Sequence, residues 1–448
     1  MKVLLVNPPR SPHNALRDHA PPEALRYVHT RLVGPPLGLL TMAVAVRDDA
    51  EVSFIDLKGE YDLHPDAPIP ADFVRARVLE DPPDVVGVTF IASEFPYGME
   101  IFRAVKAASP STVTVAGGLH ATLCPGDFDD PAVDILVPGD GAAAFRALVR
   151  ALASGGSPDS VGGLLVRDGG RLRPTTGPIL PVDPAGRDFL VPDRSYLRPW
   201  LSTYTVGGDP RPVTYLFTSL GCTSRCSFCS IWPQRGGAYL QRDVDSVIDE
   251  LRTLGEYHVV RFADANTVVD VPWTNRLLDR IQTEGIHQSY VMDMRLDTAA
   301  RHPELVARLA RAGLKVVITG IESPRASELK RYNKALDTRA ITEGLKVFQD
   351  NGILLRANYV VDPDYGPDDF AALGDFAAAH ATAYAGYTVL TPMPGTGLYQ
   401  EMRDSIIDFD LAKYNFFNCV TKTRMPLEKF YEETGRLWAI RAGEHVIS

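Results

Sequence analysis

The stretch VTYLFTSLGCTSRCSFCS, Val213 to Ser230, joins an apolar run to Cys222, Cys226 and Cys229, three cysteines within eight residues of a chain that has five. VTYLFTSL is short, apolar and β-branched, and reads as a buried strand. The cysteines then lie on the loop that leaves its carboxyl end. Five more such runs follow: HVVRFADA, QSYVMDMR, LKVVITGIES, ILLRANYVVD and YAGYTVLTPMP. Between several of them stand helical segments such as RDVDSVIDELRTLG, HPELVARLARAG and ALDTRAITEGLKVFQDNG, closing on glycines that suit helix C-termini. Six β/α units in succession predict a partial barrel, with functional side chains just after each strand.

A structural zinc site wants four closed ligands, usually as two C-x2-C pairs separated by a spacer. The spacing here is C-x3-C-x2-C, and Cys124 and Cys419 lie far away in the sequence. Three thiolates can hold three irons of a cubane cluster and leave the fourth open to a non-protein ligand. The competing readings are zinc with a remote fourth ligand such as His258, or three ordinary core cysteines.

The first 150 residues alternate in the same way. KVLLVNPP, AEVSFIDL, DVVGVTFI, TVTVAGG and DILVPGDG are five β-like runs, with helix-compatible stretches such as GMEIFRAVKAASP between several of them. The pattern predicts a flavodoxin-like doubly wound parallel sheet with its ligand at the carboxyl ends of the strands. Proline and glycine accumulate over 153–212, which reads as a linker with some local β-structure. The expected organisation is a Rossmann-like domain over 1–152, a linker over 153–212, a partial (β/α)6 barrel over 213–400, and a C-terminal helical segment over 401–448.

The chain has 448 residues, 45% hydrophobic and 23% charged, and a net charge of −10, so nothing suggests a nucleic-acid footprint. The apolar part of MKVLLVNPPR is too short for an export signal, and no run of 18 apolar residues would span a membrane. A cytoplasmic protein with reduced thiols is expected.

LGCTSRCSFCSIW, with the aromatic Phe228 before the last cysteine, resembles the radical S-adenosylmethionine (SAM) superfamily, and RFADANTVVD, MRLD, GIES and PMPGTGLY are similar to its later strand-end motifs. NPP, GPPLGLL, VVGVTFIAS, VAGGLHATLCP and DILVPGDG resemble the cobalamin-binding domain fused to one branch of that superfamily. The resemblance implies that Cys222, Cys226 and Cys229 ligate a 4Fe–4S cluster whose open iron is chelated by SAM. It places Phe228 at the SAM site, Asp264 and Asn266 at the amino group, Arg295 on the carboxylate side, and Glu322 at the ribose or amino-acid moiety. Residue chemistry agrees, since an ammonium wants carboxylate and amide acceptors and a carboxylate wants a guanidinium. Asn358 or Asp362 could supply a contact where the fifth strand lacks the family's glycine-rich segment. In the first domain the resemblance assigns Pro8, Thr89, Gly117, Gly118, His120, Gly139 and Gly141 to cobalamin. There is no D-x-H-x-x-G motif around His13, so the cofactor is expected base-off and without a histidine ligand. The family's G-E-G-E is GDGA here, which leaves open a domain that has lost cobalamin.

The implied reaction is C-methylation of an unactivated carbon in a small or carrier-bound metabolite. A 5′-deoxyadenosyl radical would abstract hydrogen, methylcobalamin would donate the methyl group, and an external flavodoxin- or ferredoxin-type protein would supply electrons. FDLAKYNFFNCVTKTRMPLEKFYEE is similar to the tail of hopanoid and antibiotic-pathway methylases, and Tyr414, Phe417 and Cys419 are its substrate candidates. The alternatives are cobalamin-assisted ring contraction or cyclisation, radical SAM chemistry without cobalamin, and a cluster-bearing electron carrier or sensor. The resemblance assigns no catalytic acid or base.

Overall fold

The computed structural model describes residues 1–28, 34–178, 189–205, 211–380 and 384–440. The chain folds as two compact units. The first comprises Met1–Ser11, Pro35–Tyr204 and Pro233–Arg235, and the second Pro12–Gly34, Thr205–Trp232 and Gly236–Ser448. The short N-terminal piece of the second unit lies against its C-terminal part. Leu16 donates its N–H to the Phe417 carbonyl at 3.0 Å, and His19 stacks on Tyr431 at 5.4 Å.

In the first unit, strands β1 (Lys2–Asn7), β2 (Glu51–Asp56), β3 (Val85–Thr89), β4 (Val113–Gly117) and β5 (Ile135–Val137) are the five expected runs. They pair in parallel in the order β2-β1-β3-β4-β5, which is the flavodoxin-like order with its switch point between β1 and β3. Both faces are covered, as a parallel sheet requires. Leu4, Val6, Val86 and Val88 enter one core with Phe102 and Val105, and Val3, Leu5, Val85 and Val115 the other with Phe145 and Leu148. The stretch read as a linker contributes β6 (Leu165–Asp168) and β7 (Arg171–Pro174), an antiparallel hairpin that extends the same sheet beyond β5. Its two-residue turn is Gly169-Gly170 at φ 55 and 90, the left-handed conformations a tight hairpin demands.

The second unit holds β8 (Val213–Leu216), β9 (Ser219–Gly221), β10 (Tyr239–Gln241), β11 (Val259–Phe262), β12 (Ser289–Asp293), β13 (Leu314–Glu322), β14 (Leu354–Val361) and β15 (Tyr384–Val389). Six of them run parallel in the order β15-β14-β13-β12-β11-β8, the six-strand set expected for a partial barrel. Its helices are amphipathic. In Val244–Thr253, Asp243 caps the N-terminus, and Val244, Val247, Ile248 and Leu251 form one buried stripe.

β9 and β10 form a small antiparallel ribbon at the foot of the cysteine loop, and two buried side chains fix the joint between β8 and β9. Asp264, just beyond β11, accepts from Thr218 N at 2.8 Å, Thr218 Oγ1 at 2.9 Å, Ser219 N at 2.6 Å and Ser219 Oγ at 2.8 Å. Arg242 donates to the Phe217 carbonyl at 3.2 Å and pairs with Glu250, both side chains being almost fully buried. Burial nevertheless pushes the Asp264 carboxyl up to about 6 from 3.8, against the four hydrogen bonds.

The folded pKa of Asp264 thus lies above its unfolded value, so the native state binds the extra proton and stability falls as pH rises. Unfolding followed by denaturant at several pH values should show a contribution that is complete below about 3.8 and lost as pH passes about 6. Asp264→Asn cannot accept at both positions. It should lower stability at neutral pH and flatten that slope; an unchanged slope would assign the pH dependence to another group.

Candidate functional site

The cysteine loop begins at Gly221, whose φ of 84 turns the chain out of β9. Its thiols are held by backbone. Ser224 N–H donates to Cys222 Sγ and Ile231 N–H to Cys229 Sγ, each at 3.4 Å. The Trp232 indole donates to the Cys226 carbonyl at 2.9 Å. From across the barrel, Ser227 N–H donates to the Tyr332 carbonyl at 2.9 Å, Leu398 N–H to the Ser227 carbonyl at 3.0 Å, and Asn333 Nδ2 to the Arg225 carbonyl at 2.7 Å.

A single zinc wants a fourth protein ligand beside the three thiols. Among the described residues, the His, Cys or carboxylate groups whose ligand atoms lie within 4.8 Å of one another are His120, Cys124 and Asp127, a set apart from the cysteine loop. His258 precedes β11, at the opposite end of the strand from this loop, roughly 13 Å along it. A cubane takes thiolates at separate corners, and three cysteines on one loop can supply three of them. Burial raises the Cys226 and Cys229 thiols, with Lys334 and, at Cys229, the Ile231 N–H acting in the other direction. Thiolates here therefore call for positive charge, which iron supplies.

Around the loop the strand ends bring polar groups together. Glu322 ends β13 at φ 65, where the register with β14 slips between Gly320 and Glu322. The bulge folds its carboxylate back over Gly320, where a Cβ would collide with it. Lys334 Nζ donates to Glu322 Oε1 at 2.8 Å. Burial works against the Lys334 ammonium, but Glu322 and Cys226 outweigh it and hold its pKa above the usual lysine range. Lys334 is not among the residues the sequence motifs single out. Arg295 donates to Asp297 Oδ1 at 2.8 Å, to Ser224 Oγ at 3.4 Å and to the Ala335 carbonyl, so it bridges the cysteine loop to the segment that carries Lys334. Asn266 is buried, and its Oδ1 has no hydrogen-bond partner among the described residues. That orphaned acceptor suits an ammonium or hydroxyl donor from a ligand. The acceptors of Asp264 are already engaged by Thr218 and Ser219, which makes it an anchor of the loop. Phe228 packs its ring edge-on to Tyr332 at 5.7 Å, beside Val360, Leu390 and Leu398. Asp362 pairs with Arg331 at 2.7 Å.

Of the C-terminal candidates, Tyr414 is 2% exposed and donates its hydroxyl to the Asp408 carbonyl at 3.0 Å. Cys419 is buried and donates its thiol to the Thr421 carbonyl at 3.4 Å. Phe417 is partly buried, with its backbone bonded to Leu16.

In the first unit, Pro8, Thr89, Gly117, Gly118, Gly139 and Gly141 lie at or just beyond the carboxyl ends of β1, β3, β4 and β5. Gly118 is at φ 92, and a Cβ there would stand 2.6 Å from Thr89 Oγ1. At Gly139, with φ 72, it would meet nothing within 4 Å. The edge near β1 and β2 is filled instead by buried polar pairs, Asn7 on Asp56 at 2.7 Å and Lys58 on Glu94 at 2.5 Å. The glycine-lined edge is thus confined to β3–β5, where backbone can approach a large flat ligand closely. His120 is turned inward against Phe95 at 5.0 Å and Phe128 at 5.8 Å, and its Nε2 lies 3.0 Å from Asp127.

Residues 216–377 match the radical SAM superfamily and residues 27–149 the B12-binding domain. An uncharacterised methyltransferase of Pyrococcus horikoshii is 28% identical over 95% of this chain and 88% of its own. The hopanoid C-3 methylase of Methylococcus capsulatus is 25% identical over 95% of this chain and 80% of its own. Among solved structures, the radical SAM methyltransferase TsrM of Kitasatospora setae, with cobalamin and a [4Fe-4S] cluster bound, superposes with a TM-score of 0.69 at 18% identity, covering 97% of this chain and 84% of that one. The chain thus carries a B12-binding domain followed by a radical SAM domain, the architecture of the cobalamin-dependent radical SAM enzymes.

Proposed function

We propose that the protein is a C-methyltransferase that methylates an unactivated carbon of a small or carrier-bound metabolite. The observation that carries this reading is the pairing, in one chain, of a C-x3-C-x2-C loop at a strand end of the radical SAM domain with a second sheet of cobalamin-binding type. Cys222, Cys226 and Cys229 would hold the cluster. Asn266, Glu322 and Arg295 would hold SAM, with Lys334 fixing the Glu322 carboxylate. Thr89, Gly117, Gly118 and Gly139 would let cobalamin approach the sheet edge, and the resemblance together with the missing D-x-H-x-x-G motif implies that it would bind base-off and without a histidine ligand. When bound, these groups supply a carbon-centred radical and a methyl group, chemistry that belongs to the cofactors.

The chain's own work is placement and exclusion of water. N–H donors from Ser224 and Ile231 disperse negative charge on the outer thiolates. Asp264 and Arg242 keep the loop's foot rigid, so the three corners hold their separation. The electron donor is expected to be a separate flavodoxin- or ferredoxin-type protein. Among the described residues no helix is long and apolar enough to cross a membrane.

The deciding experiment is anaerobic reconstitution with iron, sulfide and hydroxocobalamin, followed by reduction in the presence of methyl-deuterated SAM and candidate metabolites. Formation of both 5′-deoxyadenosine and S-adenosylhomocysteine, with a deuterated methyl group on the product, is expected. 5′-Deoxyadenosine without S-adenosylhomocysteine would point to cyclisation or ring contraction and sink the methylase reading. Cys226→Ala should lose the four-iron absorbance and SAM cleavage while keeping cobalamin at the wild-type ratio; retention of a complete cluster would remove Cys226 from the ligand set. Glu322→Gln should raise the SAM concentration for half-maximal 5′-deoxyadenosine formation about tenfold or more, the usual cost of a lost charge-assisted hydrogen bond. An unchanged concentration dependence would place Glu322 outside the SAM site.

A further inference from the structure

In the first unit, the connection from β4 to β5 brings three side chains of different ligand chemistry together. Gly118, at φ 92, turns the chain out of β4 into a five-residue helix, Leu119–Leu123. His120 and Cys124 are four residues apart, the spacing that stacks two side chains on one face of a helical turn. The Cys124 N–H closes that turn on the His120 carbonyl at 2.8 Å. A short 3-10 turn, Pro125–Phe128, then carries Asp127 back toward them, with its N–H bonded to the Cys124 carbonyl at 3.1 Å. Phe128 is fully buried, and it and Phe95 stand 5.8 and 5.0 Å from the imidazole, which restricts rotation of the ring.

One ring nitrogen of His120, Cys124 Sγ and one carboxylate oxygen of Asp127 lie within 4.8 Å of one another. His120 is 3% exposed, and its Nε2 stands 3.0 Å from Asp127 Oδ2. That approach is out of line for a hydrogen bond: Nε2 is buried and has no hydrogen-bond partner among the described residues. A plain His–Asp pair would align the ring N–H with the carboxylate and would not involve Cys124. An unpaired buried nitrogen is costly, and a cation shared with the sulfur and the carboxylate satisfies all three groups. Bonds to zinc of about 2.0–2.3 Å from nitrogen, oxygen and sulfur put the ligands of one ion roughly 3–4 Å apart, so the three atoms stand within about 1 Å of a bound arrangement. The Asp127 side chain is 44% exposed and Cys124 is half-buried, which leaves the cluster open to an ion from solvent. Magnesium and calcium want oxygen sets, whereas imidazole and thiolate with one carboxylate suit an ion of the zinc class.

We propose that His120, Cys124 and Asp127 form a binding site for a divalent transition-metal ion of the zinc class, with the fourth position open to water. The cysteines proposed for the cluster take no part in it, and it does not depend on the methylase reading. The site has a consequence within its own unit. Thr122, between His120 and Cys124, accepts from the Gly139 N–H at 2.9 Å. An ion here clamps the helix that holds the Gly139 turn, and so steadies part of the glycine-lined edge.

The test is titration of the anaerobically reconstituted holoprotein with zinc(II) against a chromophoric chelator, with X-ray absorption at the zinc edge on the same sample. Wild type should bind one zinc per chain at about micromolar affinity or tighter. The zinc shell should hold one sulfur, with nitrogen and oxygen for the rest, and an equal concentration of magnesium should displace none of it. Cys124→Ser and Asp127→Asn should each weaken zinc at least about tenfold. Circular dichroism checks that each variant is folded, and Asp127, half-exposed, is a position where the substitution leaves the core intact. Zinc should also raise the thermal unfolding midpoint of wild type and leave that of Asp127→Asn unmoved, since an ion that binds only the folded state stabilises it. A shell of three sulfurs would assign the zinc to the cysteine loop and overturn the proposal. So would a holoprotein that binds no zinc, or an affinity that either substitution leaves unmoved. A holoprotein that binds zinc with these signatures yet forms no S-adenosylhomocysteine keeps the metal site and fails only the methyl-transfer reading.

Discussion

Three thiolates on one short loop repel one another and lose hydration as they are buried, so the loop must be held open by other parts of the fold. Sequence spacing alone cannot do this: an eight-residue loop with no ladder of its own would collapse or drift. The second unit supplies the missing restraints from four directions. Asp264 and Arg242 pin the entry from β8, the Tyr332 and Asn333 segment holds the middle, and Leu398 reaches in from beyond β15. Each anchor follows or adjoins a different strand, so the loop is only as well placed as the sheet beneath it.

The charge arrangement answers to the same constraint. Lys334 lies within electrostatic reach of Cys226 and hydrogen-bonded to Glu322, so one ammonium serves both the thiol proposed for the cluster and the carboxylate proposed for SAM. The bulge after Gly320 is what turns Glu322 toward it. A regular strand would alternate residues 320 and 322 onto the same face without the positive φ that folds the carboxylate back. A side chain at position 320 would fill the space that the Glu322–Lys334 pair occupies.

How much of this was legible follows from how local each signal is. The eleven strands read from apolar runs are all present, because buried parallel strands write themselves as continuous Val, Ile and Leu. The β6–β7 hairpin hid in a Pro- and Gly-rich stretch, although Asp168-Gly169-Gly170 is a sufficient turn signal by itself. Asp264 reads as a strand-end acid, but only the folded chain brings Thr218 and Ser219 onto both its oxygens. Lys334 carries no strand-end signature; it comes forward because Asn333, at φ 51, turns the chain after a short helix. The packing of Leu16 and His19 against Phe417 and Tyr431, far along the chain, has no local trace at all.

An unactivated C–H bond offers neither charge nor hydrogen-bonding group, so nothing at the reacting carbon distinguishes it from its neighbours. Selection has to come from binding energy at a remote part of the substrate, applied to hold one carbon in place. The residues proposed for the cluster and for SAM all lie at or beyond the carboxyl ends of strands in one parallel sheet. A substrate held by that same sheet would stand at a fixed distance from them, so the carbon presented becomes a matter of where along the substrate it is gripped.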